Sequence, residues 1–356
     1  MSMKINFIRH DKPKEKPHHS ILGFGKHFTD HMFIMDYNTE NSWHDPRIVP
    51  YGPITMDPST AVLHYGQAIF EGMKAYISED KRTLLFRPEK NIQRMNATCE
   101  RMCIPLLDEN FVLEAIKTFV KYEEHWIPTA PETSLYIRPF IFATDPYLGV
   151  RPSSTYKFMI IHSPVGAYYP QGINPVNIYV ETKYVRAVPG GTGSIKTSGN
   201  YAASLKAQAE AAEKGYIQVL WLDGVNRKYV EEVGSMNVFF KIRGEVITPS
   251  LEGSILPGIT RDSVIQLLKH EGIPVQERKI SIEEIYSAHE KGELEEAFGT
   301  GTAAVISPIG VLDWAGRDIL VNNGKIGQIS QHLYTTLTGI QFGRIPDKFG
   351  WTVEVK

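Results

Sequence analysis

The sequence predicts an α/β (α+β) protein of two domains, on three observations. Its 356 residues exceed twice a typical domain length of ~150. Apolar runs of strand type alternate with stretches of helical periodicity along the whole chain. Proline and glycine thicken between Pro170 and Tyr184 (P-Q-G-I-N-P), which is the composition of a connection. The expected division is an N-terminal domain at residues 1–170, a connection at 171–183 and a C-terminal domain at 184–356.

Composition narrows the function classes. The chain is 42% hydrophobic and 22% charged, with 38 basic against 40 acidic side chains and a formal charge of -2. Such a balance gives no electrostatic footprint for nucleic acid or a membrane surface. No apolar run approaches the ~18 residues of a membrane span, and the N-terminus has no signal-peptide core or Arg/Ser-rich transit segment. A cytoplasmic location is expected. Cys99 and Cys103, the only two cysteines, lie four apart in a predicted helix and are expected to be buried thiols sharing a face.

Taken in order, the first fifty residues carry little periodicity. His27 and His31 form a His-x₃-His pair, but without a third ligand it points to no metal, and no metal is expected. Ala61 to Ile77 and Thr83 to Phe86 read as strands with a turn around Glu79 to Arg82. Glu89 to Cys103 puts Ile92, Met95, Cys99 and Met102 on one helical face, and Glu109 to His125 does the same with Val112, Ile116, Phe119 and Val120. Strands are expected again at Ser134 to Ala143, Tyr156 to His162 and Asn177 to Thr182. The second half offers helix Asn200 to Lys214, strands Ile217 to Leu222 and Val238 to Ile242, helix Arg261 to His270, strand Val275 to Ile280 and a closing helix Ile326 to Phe342.

The chemistry centres on Gly190 to Leu205, G-G-T-G-S-I-K-T-S-G-N-Y-A-A-S-L. One lysine, Lys196, stands in a glycine-rich loop between a strand and a helix. Glycine lets backbone approach a ligand closely, and an amine held away from water has a lowered pKa and can attack a carbonyl to form a Schiff base. The alternative is a solvated lysine on a surface loop. A second alternative is a P-loop, G-x-x-x-x-G-K-[ST], which Gly190 to Thr197 matches except that Ile195 replaces the second glycine. That β-branched residue stands where backbone must wrap phosphate, and the helix signal starts too late for the lysine to open it.

Other positions point to anions. Arg87 emerges where strand Leu84 to Phe86 meets a helix start, a place suited to phosphate or carboxylate or to a surface ion pair. Arg138 lies mid-strand on the face of Tyr136, where a charge needs a partner. Leu256-Pro257-Gly258-Ile259-Thr260 leads into a helix whose free N–H groups attract anions, and Gly299-Thr300-Gly301-Thr302-Ala303 is a second backbone-rich turn. In Glu232-Val233-Gly234-Ser235-Met236-Asn237 a carboxylate could be solvated, or could pair with a pyridine nitrogen and keep that ring protonated.

Together these motifs strongly resemble the branched-chain amino acid aminotransferases, pyridoxal-phosphate enzymes of fold type IV. The likeness rests on the lysine loop with its following Asn-Tyr, on E-V-G-S-M-N, L-P-G-I-T-R and G-T-G-T-A-A, and in the first half on F-G-K-H-F-T-D-H-M, L-H-Y-G-Q-A-I-F-E-G-M-K-A-Y, L-F-R-P and L-Y-I-R-P. It spans nearly the whole chain. It implies a smaller N-terminal α/β domain, a larger C-terminal domain, pyridoxal 5'-phosphate between them, and a homodimer.

The resemblance also implies roles. Lys196 matches the lysine that holds the cofactor as a Schiff base and then shuttles the substrate proton. Tyr201 matches the tyrosine on the cofactor's phenolic oxygen, and Glu232 the acid facing its ring nitrogen, with Glu231 as a competitor. Arg87, Gly258, Ile259, Thr260 and Thr302 match the phosphate cup, and Leu256 the residue on the ring face. Thr302 and Ala303 match the substrate α-carboxylate site. Phe24, Tyr65, Phe70, Tyr136 and Tyr168 match the aromatic side-chain pocket, part of it contributed across a dimer interface. Arg138 matches the arginine for the distal carboxylate of glutamate or 2-oxoglutarate.

One departure concerns regulation. Mammalian members carry a C-x-x-C pair where this chain has Ala304 and Ser307, so no thiol switch is expected there. The implied reaction is reversible transfer of the amino group of leucine, isoleucine or valine to 2-oxoglutarate. D-Amino acid aminotransferase and aminodeoxychorismate lyase, which share the fold, are the nearest enzymatic alternatives.

Overall fold

A computed structural model describes residues 3–166 and 173–356. Its contacts gather into two compact units, one of residues 1–168, 196–198 and 339–356, the other of residues 169–195 and 199–338.

The first unit contains strands β1 (Asn6–Phe7), β2 (His31–Asn38) and β3 (Ser42–Pro50), helix α1 (Ala61–Tyr65), strands β4 (Ala68–Phe70), β5 (Met73–Ile77) and β6 (Thr83–Phe86), helices α2 (Pro88–Arg101) and α3 (Glu109–Tyr122), and strands β7 (Ser134–Ala143) and β8 (Thr155–Val165). Its sheet runs β1-β3-β2-β8-β7-β5-β6 and ends on the C-terminal strand Thr352–Val355, with β4 paired to β7. Proline at the first helical position opens α2. The Asp108 carboxylate accepts the Phe111 N–H at 2.9 Å and caps α3. The apolar faces of both helices, Ile92, Met95, Ile116 and Phe119, join Phe33, Ile137 and Phe158 in one buried core. Each such side chain contributes ~1.5–3 kcal/mol by leaving water.

Three expectations fail here for identifiable reasons. Ala61–Tyr65 is a helix rather than a strand, because Gly66 takes the left-handed conformation (φ 62°) and returns its N–H to Val62. The hairpin β2–β3 arises in the stretch that showed no periodicity. His31 to Met35 is buried at every position, so no polar alternation marks it. Cys103 is exposed rather than buried, since the helix stops at Arg101 and Cys103 turns away with φ 53°. Cys99 is buried, which pushes its thiol up to about 12.

The histidine pair has separate duties. His31 Nδ1 lies 2.5 Å from Glu123, and its Nε2 accepts the His10 N–H at 3.0 Å. His27 Nε2 lies 3.3 Å from the Ile21 carbonyl.

The second unit holds β9 (Val176–Glu181), α4 (Ser198–Glu213), β10 (Gln218–Leu222), β11 (Val230–Val233), β12 (Met236–Ile242), β13 (Glu245–Thr248), α5 (Ile259–His270), β14 (Val275–Glu277), α6 (Ile282–Glu290), β15 (Leu294–Gly301), β16 (Val305–Trp314) and β17 (Arg317–Leu320). Helix α7 (Gln328–Gln341) follows. Strand order is β11-β10-β9-β16-β15-β12-β13-β14, and β11 also pairs with β12. The extra pairing closes six strands into a ring, which removes their open edges. Ile178, Leu220, Val238, Phe240 and Leu312 fill its core.

Candidate active site

In the first unit the sequence around Lys196 is pinned by three hydrogen bonds. The Lys196 N–H donates to Thr98 Oγ1 at 3.3 Å, its carbonyl accepts from Phe70 N–H at 3.1 Å, and Thr197 Oγ1 donates to the Ala68 carbonyl at 2.8 Å. The loop is thereby fastened to β4 and α2. The Lys196 amine sits 4.8 Å from the centre of the Phe70 ring. Burial pushes that amine down to about 8, with Arg94 and Arg138 pushing the same way and Glu71 and Tyr136 opposing. Such an amine is partly unprotonated near neutral pH, as a nucleophile requires.

Four predicted substrate residues of this unit, Phe24, Phe70, Tyr136 and Arg138, are linked by contacts. Phe24 meets Tyr136 edge-on with ring centres 4.9 Å apart. Arg138 donates to the Tyr136 hydroxyl at 2.9 Å, and its guanidinium lies 4.5 Å from the centre of the Phe70 ring. The buried Arg138 Nε has no acceptor among the described residues. Gly72 is required beside them, because a Cβ there would stand 2.0 Å from the Tyr136 hydroxyl oxygen. Tyr65, at the end of α1, is 42% exposed and is the least buried of these aromatics. Tyr168 lies outside the described residues.

Arg87 is buried at the start of α2 with φ 49°. Left-handed backbone is costly for a side chain of this size, and it turns the arginine out of the line of β6. Its N–H donates to the Trp351 carbonyl at 2.7 Å, and its guanidinium lies 5.3 Å from the Trp351 ring.

Two further features of this unit escaped sequence reasoning. Lys74 is buried on β5, opposite Tyr136 in register, and burial pushes its amine to about 8. Glu71, fully buried, holds Arg94 through bonds of 2.8 and 2.9 Å. Burial alone would raise the Glu71 carboxyl, but Arg94, Lys196 and Asn91 outweigh it and hold it below the usual range. A charge inside an apolar run was the available signal for both.

In the second unit Tyr201, Glu232 and Leu256 line one cavity together with Arg186, Ile195 and Asn200. Glu232 accepts the Leu256 N–H at 2.8 Å and lies 3.4 Å from Arg186, a partner the sequence did not reveal. Alternation along β11 turns Glu231 to the opposite face. There it takes the Ser254 hydroxyl and borders a separate cavity with Asp223 and Lys279, and burial raises its carboxyl.

Strand register carries this arrangement further. Glu232 pairs with Asn237, and Asn237 pairs with Thr300, so three strands align these side chains in a row. Asn237 Nδ2 donates to the Leu256 carbonyl at 2.9 Å. A Cβ on Gly258 would stand 2.0 Å from Asn237 Oδ1, so only glycine permits this approach. Helix α5 begins directly after Gly258, which offers no side-chain cap, and Thr260 is buried in its first turn. Ile259 and Thr260 therefore stand at the positive end of a helix dipole. Thr302 and Ala303 form the tip between β15 and β16, where Gly301 pairs with Val305. The Thr300 hydroxyl beside them is buried without a partner among the described residues.

Each unit by itself offers groups with a definite chemical preference. A buried amine of lowered pKa suits an aldehyde, a buried carboxylate suits a protonated ring nitrogen, and a helix start with a neighbouring hydroxyl-rich turn suits phosphate.

Comparison with known proteins gives the same direction. The family model described as amino-transferase class IV matches residues 68–311. The chain is 60% identical over 354 residues to the branched-chain-amino-acid aminotransferase 2 of Bacillus subtilis (strain 168), covering 99% of this chain and 97% of that protein. Among solved structures, the Escherichia coli branched-chain amino acid aminotransferase superposes with a TM-score of 0.78 at 30% identity, covering 92% of this chain and 99% of that one. A T.th. branched-chain amino acid aminotransferase with pyridoxamine 5'-phosphate gives a TM-score of 0.75 at 27% identity, covering 91% and 98%.

Proposed function

The chain belongs to the class IV aminotransferases, among the branched-chain-amino-acid aminotransferases of fold type IV, and on that premise we propose that it moves an amino group reversibly between leucine, isoleucine or valine and 2-oxoglutarate, with pyridoxal 5'-phosphate as cofactor. The observation that carries this reading is the buried Lys196 amine, fastened by its backbone and pushed to about 8. When bound, the cofactor supplies an aldehyde and an electron-withdrawing ring that stabilises negative charge at the substrate Cα.

The chain's own residues do the rest. Lys196 would hold the aldehyde of the cofactor and would carry the proton to and from the substrate Cα. A pKa near the working pH suits both directions of transfer. Glu232, 3.4 Å from Arg186, would accept a hydrogen bond from the ring nitrogen and keep that ring protonated. Tyr201 would donate to the phenolic oxygen, and Leu256 would pack on the ring face. Arg87, Gly258, Ile259, Thr260 and Thr302 would hold the phosphate, while Thr302 and Ala303 would bind the substrate α-carboxylate.

Substrate choice follows from the aromatic group. Phe24, Tyr65, Phe70, Tyr136 and Tyr168 wall the side-chain pocket, where each buried methylene is worth ~0.8 kcal/mol. Arg138 serves glutamate through its open Nε. With an apolar substrate its charge rests against the Phe70 and Tyr136 rings, a favourable contact for a guanidinium.

The working form is a homodimer in the cytoplasm. Leu63, Tyr65, Leu148 and Val150 expose apolar area suited to a partner copy, and no helix among the described residues is long and apolar enough to cross a membrane. The reading is tested by assaying purified protein for glutamate formed from L-leucine and 2-oxoglutarate. Turnover with L-leucine and none with D-alanine is expected; activity on D-alanine alone would assign it to the D-amino acid enzymes.

A further inference from the structure

Two buried charges that this function leaves without a role stand beside Lys196. The Glu71 side chain is 1% exposed and that of Arg94 11%. Their contact is two-pronged, Nε to Oε1 at 2.8 Å and Nη2 to Oε2 at 2.9 Å, and Asn91 adds a bond of 2.8 Å to Oε2.

Both residues are coupled to the atoms that seat the lysine. Glu71 directly follows Phe70, whose N–H holds the Lys196 carbonyl. Arg94 lies one helical turn before Thr98 on α2, and its carbonyl accepts the Thr98 hydroxyl at 2.9 Å, while the same hydroxyl oxygen accepts the Lys196 N–H. A buried ion pair is a poor device for stability alone, since apolar residues of similar shape serve as well or better. Its place at the lysine calls for another explanation.

The charges on the amine come from three directions. Arg94 on α2 and Arg138 on β7 disfavour its protonated form, and Glu71 after β4 and Tyr136 on β7 favour it. Lys74 on β5 lies across from Tyr136. Glu71 and Arg94 therefore act on the amine in opposite senses, and the intact pair presents little net charge.

We propose that Glu71 and Arg94 are positioning residues for the transamination proposed above: a charge-balanced clamp that seats Lys196 and sets how readily its amine gives up a proton. The inference rests on that functional reading, in which the amine must be both nucleophile and proton carrier.

The test is competitive acetylation of full-length protein freed of cofactor. The Lys196 peptide is quantified by mass spectrometry across a pH series for wild type, Glu71→Gln and Arg94→Gln. The wild-type midpoint is expected near 8, lower by about one unit in Glu71→Gln and higher by about one unit in Arg94→Gln. Loosened packing would move both variants toward the value of a solvated lysine. Opposed shifts thus separate the clamp from a packing role, and shifts in one direction, or none, overturn it.

If either variant does not fold, Arg94→Lys carries the test, because it keeps the charge and loses the two-pronged grip. It is expected to slow capture of pyridoxal phosphate by Lys196 about tenfold with the acetylation midpoint unmoved, and capture at the wild-type rate overturns the clamp. Wild-type protein that captures no pyridoxal phosphate at Lys196 would instead sink the functional reading itself.

Discussion

The Phe70 N–H donates to the Lys196 carbonyl at 3.1 Å, so the residue whose ring faces the amine also holds the backbone that carries it. Thr98 completes the grip from the other side. Replacing Thr98 by valine removes that acceptor while keeping the shape, at a cost of about 1 kcal/mol. The expected outcome is a kcat several-fold lower with KM for L-leucine little changed, read from steady-state kinetics.

The lowered Lys196 pKa predicts how the protein takes up its cofactor. Only the unprotonated amine attacks an aldehyde, so the rate of reconstitution with pyridoxal phosphate should rise with pH and level off above about 8. Stopped-flow absorbance over a pH series measures it. A rate still climbing through the range of a solvated lysine would place the amine in water.

Glu231 and Glu232 are separable by substitution. Glu232→Gln should lower kcat by about a hundredfold or more, because the ring loses its proton-holding partner. Thermal unfolding should shift little, since an amide oxygen still accepts the Leu256 N–H. Glu231→Gln, on the opposite face, should leave kcat within about threefold of wild type. Equal losses in the two variants would undo the assignment.

Arg138→Met should divide the two half-reactions. Removing a charge-assisted partner of a carboxylate costs about 2–3 kcal/mol, so turnover with glutamate should fall about a hundredfold. Turnover with L-leucine should change far less. Single-turnover kinetics with each amino acid measures the ratio.

Gly258→Ala tests the phosphate end. The added Cβ meets Asn237 Oδ1 at 2.0 Å, so either Asn237 releases the Leu256 carbonyl or the start of α5 shifts. Overpacking of this kind costs about 1–3 kcal/mol. A lower melting temperature and weaker retention of the cofactor on dialysis are the expected results.

Much of this site was legible in the chain, and the remainder was hidden for physical reasons. Lys196, Glu232 and the Leu256 to Thr260 segment stand in motifs whose letters carry the chemistry. Only the motif's order, with Glu232 directly before Val-Gly, favours Glu232 over Glu231 in the sequence, because β11 is buried on both faces and a strand without polar alternation does not declare its sides. The same cause hid the first half of β2, His31 to Met35. Helix α1 was lost because a single left-handed Gly66 ends a five-residue helix that its apolar letters disguise as a strand. Lys74 was discoverable by the argument that singled out Arg138, a charge inside an apolar strand. So was Glu71, whereas Arg186 and Arg94 were not, since their meaning depends on partners far away in the sequence.

The measurement that bears most directly on the central claim is the visible absorption of purified full-length protein and of its Lys196→Ala variant. The account predicts a visible band from cofactor joined to Lys196, bleached by L-leucine, restored by 2-oxoglutarate and absent from the variant. A colourless wild-type protein, or a Lys196→Ala protein that keeps both the band and normal turnover, would contradict it.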